Sequence, residues 1–314
     1  MAARTWDVVA AGLGFGVEIE CTVPSRHINN GDINRGSYRD GDSLGSEFPD
    51  GWIGKYDGSI HAGNNRTDLE VVSPILHGRD GAEEMVRVVR TMYDTYNCRV
   101  NRSCGFHVHV GLDSVVDLQY TPWSETIELI RRLLLLVGFH EDGLLASTVP
   151  SRIGNSYCDS IRGPWRERLL YLDKRIQGRE LIFNDIVNYA SSRYSALNLT
   201  NVYSSSKTTL EFRLFPSTLN TSRLLGYVML ALGLVQKAAN EARAPMHWLK
   251  RKESKRCRPC RTWGDELELL FTTLGWRQDK RQYGWIVPYD VTIMNSLRRM
   301  ARRMQVTVPY RGIN

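Results

Sequence analysis

The sequence has no long apolar run. Its longest apolar stretches, 133–137 and 228–235, fall well short of the roughly 18 residues that a membrane-spanning helix needs. Residues 1–6 also lack the basic region and apolar core of a signal peptide. These two absences predict a cytoplasmic protein that makes no contact with a membrane.

Cysteine is scarce as well, with six in 314 residues, which does not suggest a disulfide scaffold. Only Cys257 and Cys260 form a C-x-x-C pair. A structural zinc site needs two more Cys or His ligands at matching spacing, and the sequence has none nearby. We therefore interpret this pair as ordinary thiols in a basic loop.

Hydrophobic residues make up 42% and charged residues 24% of the chain, the balance of a globular protein. The net charge of +7 favours acidic partners such as nucleotides, nucleic acid or acidic peptides, but many globular proteins carry such an excess, so it decides nothing alone.

The composition changes after Pro245, where basic residues become frequent. They are Lys250, Arg251, Lys252, Lys255, Arg256, Arg258 and Arg261, followed by Arg298, Arg299, Arg302 and Arg303 on the outer side of a helix predicted at 291–304. We predict a catalytic core at 1–245 and a basic C-terminal extension at 246–314, which is a possible binding site for an acidic macromolecule.

Residues 14–20 alternate between apolar and other residues, which predicts a strand buried on one side. Gly16, Glu18 and Glu20 share its second face. On a strand the stems of Glu18 and Glu20 stand roughly 6.6 Å apart, at ~3.3 Å per residue. Two carboxylates at that spacing can hold one cation or bind two neighbouring cations.

Three further predicted strands place acids or imidazoles opposite an aliphatic face. Glu70 lies in 68–73, His107 and His109 lie in 105–112, and Glu211 and Arg213 lie in 208–215. Each has a plain structural interpretation, namely a solvated face, a hydrogen-bonded histidine pair or an ion pair. If the strands share one sheet, however, crowded carboxylates repel one another unless cations neutralise them. Oxygen ligands with one imidazole suit magnesium or manganese.

The other predicted elements make the chain an α+β protein. Helices are predicted at 80–96, 121–137, 165–172 and 221–241, a strand at 193–200, and a long loop at 24–66 with one short strand at 52–55. Arg152, Arg193 and Arg213 would face phosphates rather than carboxylates. Carboxylates, metal ions and arginines together are typical of a phosphoryl-transfer site.

Six short motifs in order resemble the amidoligase family. They are Gly-Val-Glu-Ile-Glu (16–20), Asp-Gly-Ser-Ile (57–60), Glu-Val-Val-Ser-Pro (70–74), Gly-Phe-His-Val-His-Val-Gly (105–111), Arg-Tyr-x-Ala-Leu-Asn (193–198) and Leu-Glu-Phe-Arg-Leu-Phe (210–215). That family belongs to the carboxylate–amine ligases related to glutamine synthetase and glutamate–cysteine ligase, and is often phage-encoded. The resemblance covers about 14–240 and leaves 246–314 uncovered.

The resemblance implies a curved antiparallel sheet with a concave catalytic face, flanked by long helices as in the glutamine synthetase catalytic core. It also implies that this face holds ATP and Mg²⁺ or Mn²⁺. Glu18 and Glu20 would each bind one of two metal ions. Glu70 would join the ion of Glu20, and His107 and Glu211 the ion of Glu18.

The resemblance also assigns roles to polar residues around these ligands. Arg193 and Arg213 would neutralise the γ-phosphate and the developing acyl phosphate, and together with Glu211 they are the candidate catalytic residues. His109 would support the metal ligands or contact substrate. Arg152, Asn155 and Tyr157 are candidate nucleotide or substrate contacts. Asp57 and Ser59 match a family motif for which the residues suggest no role.

The implied reaction joins a carboxylate to an amine, which could be an amino acid, a polyamine or a peptide. It consumes ATP, passes through an acyl phosphate, and releases ADP and phosphate. The segment 24–66 is the candidate cover that keeps water from that intermediate. If the gene belongs to a phage, the reaction takes place in the bacterial cytoplasm.

Two other functions remain open from the residues alone. A cupin-type oxygenase also uses a His-x-His strand, but it needs a nearby Glu and a later His. Asp113 lies four residues beyond His109, and His140 and His247 have helix or loop contexts. A non-catalytic nucleic-acid-binding protein would explain the basic extension and leave the acidic strand faces unexplained.

Overall fold

The computed structural model describes residues 13–113, 115, 123–161, 192–202, 208–240, 261–276 and 291–310. Within these residues, eight strands form one antiparallel sheet. They are β1 (Gly14–Pro24), β2 (Asp42–Ser43), β3 (Ile53–Lys55), β4 (Arg66–Val72), β5 (Leu76–His77), β6 (Gly105–Gly111), β7 (Leu197–Asn198) and β8 (Thr209–Pro216). Their order is β2-β3-β4-β1-β6-β8-β7, with β5 paired to the start of β1. The four strands with polar faces are therefore consecutive neighbours.

Helices supply the second half of the fold. The described residues contain α1 (Ser25–Asn29), α2 (Gly78–Arg90), α3 (Trp123–Phe139), α4 (Glu141–Ala146), α5 (Thr221–Asn240), α6 (Trp263–Thr273) and α7 (Val291–Thr307). A π-helical turn, Thr91–Thr95, continues α2. The predicted α+β class with an antiparallel sheet is confirmed. Among these helices none is long and apolar enough to span a membrane.

The core lies between the sheet and the helices. Phe15, Val17 and Ile19 of β1 are at most 1% exposed, as their alternation predicts. Across the core, Tyr227 of α5 stacks on Phe215 of β8, with ring centroids 4.5 Å apart. Because one side of each central strand is used for packing, the alternate residues are left on the opposite, polar side.

A β-bulge interrupts the pairing between β6 and β8. Phe106 pairs with Phe215, so an uninterrupted ladder would pair Val108 with Arg213. Val108 pairs with Phe212 instead. β8 therefore has one residue more than β6 in this interval. The extra residue puts Phe215 on the helix side with Phe106, and it changes the local direction of the strand at Arg213.

Two sequence expectations need correction. The segment 24–66 is not a structureless loop, since it contains α1, β2 and β3 and buries Ile33, Leu44 and Trp52. The short strand expected at 52–55 is confirmed as β3. The strand expected at 193–200 is reduced to the two residues of β7, because a turn precedes it.

The described part of the C-terminal extension is packed into the same core. Helix α6 lies against α4, and α7 lies against both α5 and α6. A Cβ atom on Gly226 of α5 would lie only 3.0 Å from Leu297 of α7, which shows how closely these two helices approach. The division at 245/246 falls outside the described residues and stays a prediction.

Several other sequence predictions also fall outside the described residues. They are the helix start at 121–122, the helix at 165–172, the basic residues 250–258, and the Cys257–Cys260 pair.

Shortening Leu297 to alanine should reduce the free energy of unfolding by roughly 2–5 kcal/mol, because it leaves a cavity between α7 and α5. The matched control on the same helix is Val306→Ala, which should change stability by less than about 0.5 kcal/mol because Val306 is 89% exposed. Chemical denaturation measures both. Equal, small effects would contradict the integral packing of α7.

Candidate metal and phosphate site

The register of the central strands brings four carboxylates and an imidazole together. Glu18 of β1 lies opposite His107 of β6, and Glu20 of β1 lies opposite Glu70 of β4. Residues directly opposite on one face have Cβ atoms about 4.5–5.5 Å apart. Glu211 reaches the same group from β8, which pairs with the other edge of β6.

One set of possible metal ligands consists of Glu18, His107 and Glu211. Their ligand atoms all lie within 4.8 Å of one another. The Nδ1 atom of His107 is 2.8 Å from Oε2 of Glu18 and 3.6 Å from Oε1 of Glu211. Two carboxylates and one imidazole at these distances can enclose a divalent cation.

A second set of possible ligands lies on the other side of the imidazole and consists of Glu20, Glu70 and His107. Their ligand atoms also lie within 4.8 Å of one another. The Nε2 atom of His107 is 3.4 Å from Oε1 of Glu20. The backbone amide of Gly105 donates to Oε2 of Glu20 at 2.5 Å. A side chain at 105 would bring its Cβ within 2.9 Å of the His107 ring, so the site requires glycine there.

Burial and charge act on these carboxylates in opposite ways. The pKa of Glu70 is raised to about 9, first by burial and then by repulsion from Glu18, Glu20 and Asp57. Burial also raises the pKa of Glu18, but hydrogen bonds and charge from His109 and His107 outweigh it and hold that pKa well below its usual value. Lys55 partly offsets this repulsion at Glu70, but burial and the neighbouring carboxylates outweigh it.

Two arginines lie beside the ligands with unused donors. Arg213 donates from Nη1 to Oε1 of Glu211 at 2.5 Å, and Arg152 donates from Nη2 to the carbonyl of Cys104 at 2.6 Å. The Nε groups of both are buried and have no hydrogen-bond partner among the described residues. Because buried unpaired donors are costly, this arrangement suits an anionic ligand.

The remaining predicted residues lie around this centre. His109 has Nε2 3.2 Å from Oε1 of Glu18, so it adjoins the first ligand set. Arg193 instead donates to the hydroxyl of Tyr38 and stacks over Tyr194, which places it on the segment leading to β7. It contacts none of the candidate metal ligands directly in the structure.

The other candidates make local contacts. Asn155 accepts from the amide of Tyr157 at 2.8 Å, and Tyr157 is 53% exposed. Asp57 accepts from the amide of Ser59 at 2.8 Å, which forms a turn beyond β3. Asp57 is nevertheless close enough to raise the pKa of Glu70.

Sequence reasoning missed two residues that lie beside the ligands. Asn198 of β7 donates to Oε2 of Glu211 at 2.6 Å, and Lys55 of β3 pairs in register with Glu70. Asn198 lies in one of the six motifs that resemble the amidoligase family, and that motif could have marked it as a site residue. Nothing local marks Lys55, because its position follows from the pairing of β3 with β4.

Stability without metal should depend on pH through Glu70. Its folded pKa is near 9, so between about pH 4.5 and 9 the folded protein keeps a proton that the unfolded chain releases. The unfolding free energy therefore falls as pH rises through this window. In EDTA, Glu70→Gln should match wild type near pH 5 and melt several degrees higher near pH 9.

Thermal melts at both pH values measure this effect, and Glu83→Gln on the exposed side of α2 serves as the control. Saturating Mg²⁺ or Mn²⁺ should stabilise wild type more than Glu70→Gln. If the melting temperatures of wild type and Glu70→Gln changed with pH in the same way, titration of Glu70 would not be the cause of the pH dependence.

Removing the Asn198 side chain should weaken cation binding, because Glu211 loses the donor that fixes its orientation. Losses of about 10–100-fold are usual when such a supporting partner is removed. Isothermal titration of Asn198→Ala with Mn²⁺ measures this, with Asn155→Ala as the matched control. Equal affinities for the two variants would rule out the role of Asn198.

Comparison with known proteins assigns the chain to a family. No match to a curated protein was found. The structure of a bifunctional glutathione synthetase from Pasteurella multocida aligns with 94% of this chain at 12% identity and a TM-score of 0.34, a likeness too weak to carry an argument. The alignment covers 50% of that chain, so this chain spans about half its length. A family model described as "Putative amidoligase enzyme" matches residues 12–235, and the chain therefore belongs to the amidoligase family.

Proposed function

We propose that the protein is an ATP-dependent carboxylate–amine ligase that works through an acyl phosphate and releases ADP and phosphate. The observation that supports this best is the convergence of two metal-ligand sets beside two buried arginines with unused donors. The same proposal includes a concave catalytic face of the glutamine synthetase type.

The donor set fits hard divalent cations. Carboxylate oxygens dominate both ligand sets, and they are joined by one imidazole, which suits Mg²⁺ or Mn²⁺. Such ions would supply positive charge to phosphate oxygens. They would also relieve the repulsion that raises the pKa of Glu70.

His107 belongs to both ligand sets, but a neutral imidazole has one lone pair. We propose that Nδ1 serves the ion of Glu18 and Glu211, since Nδ1 faces both carboxylates. The opposite nitrogen then carries the proton and points it at Glu20, which lies 3.4 Å away. His107 thereby joins the two halves of the site.

The arginines would act on the phosphate that is transferred. A carboxylate that attacks ATP brings an anion to a polyanion, so positive charge must be in position before reaction. Arg213 and Arg152 would donate to phosphate oxygens through the Nε groups that protein atoms leave unused. Arg193 would join them by exchanging its contact with Tyr38.

That contact also supports the proposed cover over the site. Tyr38 lies in the 24–66 segment and meets Arg193 from a part of the chain 155 residues away. A cover attached at this point would keep water from the acyl phosphate until the amine arrives. The amine substrate could be an amino acid, a polyamine or a peptide.

The two alternative functions have less support. His107 faces three carboxylates, which is unlike the histidine-rich centre of a cupin oxygenase. His140 lies at the start of α4, and His247 is outside the described residues. Family membership favours the ligase over both alternatives.

Hydroxylamine provides a test that does not require the natural amine, since it traps acyl phosphates as hydroxamates. Wild type with ATP, Mg²⁺ and a panel of amino acids and other carboxylates should form hydroxamate and ADP in equal amounts for at least one carboxylate. Glu18→Gln should lower the rate at least about 100-fold, a loss typical of removing one electrostatic catalytic group.

The control is Glu83→Gln, which removes an exposed carboxylate on α2 and should keep full activity. ADP without hydroxamate would contradict the acyl phosphate. Full activity in Glu18→Gln would contradict the metal site.

A further inference from the structure

Helix α7 has two chemically distinct sides. One side packs into the core through buried Met294, Leu297 and Met304. The other is exposed and contains no acidic residue; it consists of Thr292, Asn295, Arg299, Arg302, Arg303, Val306 and Thr307. Because the core side fixes the helix, the three exposed arginines have fixed backbone positions.

No carboxylate in the described part of the chain forms an ion pair with these three arginines. Glu268 of α6 is engaged by Arg298, with N–O distances of 2.6 and 3.1 Å. Asp265 caps the start of α6.

A fourth exposed arginine lies at the same end of α7. Trp263 donates from its backbone to Gln305 at 3.0 Å and from its indole to the carbonyl of Val308 at 2.8 Å. These bonds hold the start of α6 against the end of α7, and Arg261 lies two residues before Trp263. We call Arg261, Arg299, Arg302 and Arg303 the basic face.

We propose that the basic face binds the phosphodiester backbone of double-stranded nucleic acid without reading its sequence. This inference goes beyond ligation. Guanidinium groups match phosphate geometry, and Arg299 to Arg303 span roughly 6 Å of helix axis at 1.5 Å per residue. Each strand of a duplex presents one phosphate per ~3.4 Å of duplex axis, so three arginines can contact two or three of them.

The described residues also favour a duplex over a single strand. Binding of single strands relies on aromatic side chains that stack on bases, and the exposed side of α7 offers none among the residues above. Contacts to phosphates alone give affinity without sequence preference. Binding should therefore be micromolar at low salt and fall steeply as salt rises.

Fluorescence anisotropy measures binding of the full chain to a labelled duplex of about 24 base pairs. EDTA is present so that no divalent cation occupies the metal sites. Each phosphate contact contributes roughly 0.9 to the slope of log affinity against log salt. The triple variant R299Q/R302Q/R303Q should lower that slope by about 2 to 3 and weaken binding at least tenfold at low salt.

The matched control is R79Q/R87Q/R90Q, which removes the same charge from the exposed side of α2, where Asp80 and Glu83 also lie. It should leave the slope unchanged. Thermal melting of both variants checks folding, and neither should be destabilised much because all six side chains are exposed. Truncation is unsuitable, since α6 and α7 supply core residues.

Equal losses in the two triple variants would overturn the proposal in favour of general net charge. Tighter binding of a labelled poly-glutamate peptide than of the duplex would overturn it in favour of an acidic protein partner. Binding by wild type with no salt dependence would exclude phosphate contacts.

Discussion

Electrostatic repulsion between carboxylates on one face of the sheet is the constraint on which the site depends. Glu20 and Glu70 lie directly opposite each other, an arrangement that destabilises a sheet. Burial prevents water from screening them, and the pKa of Glu70 rises to about 9 as a result. The hydrophobic packing on the other face must hold these strands in register against that repulsion.

His107 balances this repulsion at the centre. It is 4% exposed and lies between carboxylates on both sides, so its two nitrogens meet Glu18 and Glu20. His109 adds a second imidazole at Glu18. Because both imidazoles act on Glu18 and neighbouring carboxylates act on Glu70, Glu18 stays ionised while Glu70 holds its proton when no cation is bound. Glu70 is consequently the ligand that should respond most to metal.

The bulge between β6 and β8 links the sheet to the arginines. Opposite His107, β8 has one residue more than β6, and Arg213 lies in that interval with its amide bonded to the carbonyl of Ala196. Its guanidinium folds back onto Glu211. Bulges are frequent beside active sites because they change the direction of one side chain while the strand continues.

The sequence by itself determined the α+β class, the four polar-faced strands and the motifs of the family, because period-two alternation and short motifs are local properties. Glu18 and Glu20 share a face for that reason alone. Only the tertiary structure decided that Glu70 and Glu211 lie next to them, since strand order and register depend on contacts between residues as distant in sequence as Glu18 and Glu211. It also placed Arg193 beside Tyr38 and joined α6 and α7 to the core, because packing between distant segments leaves no periodic signal in any one of them.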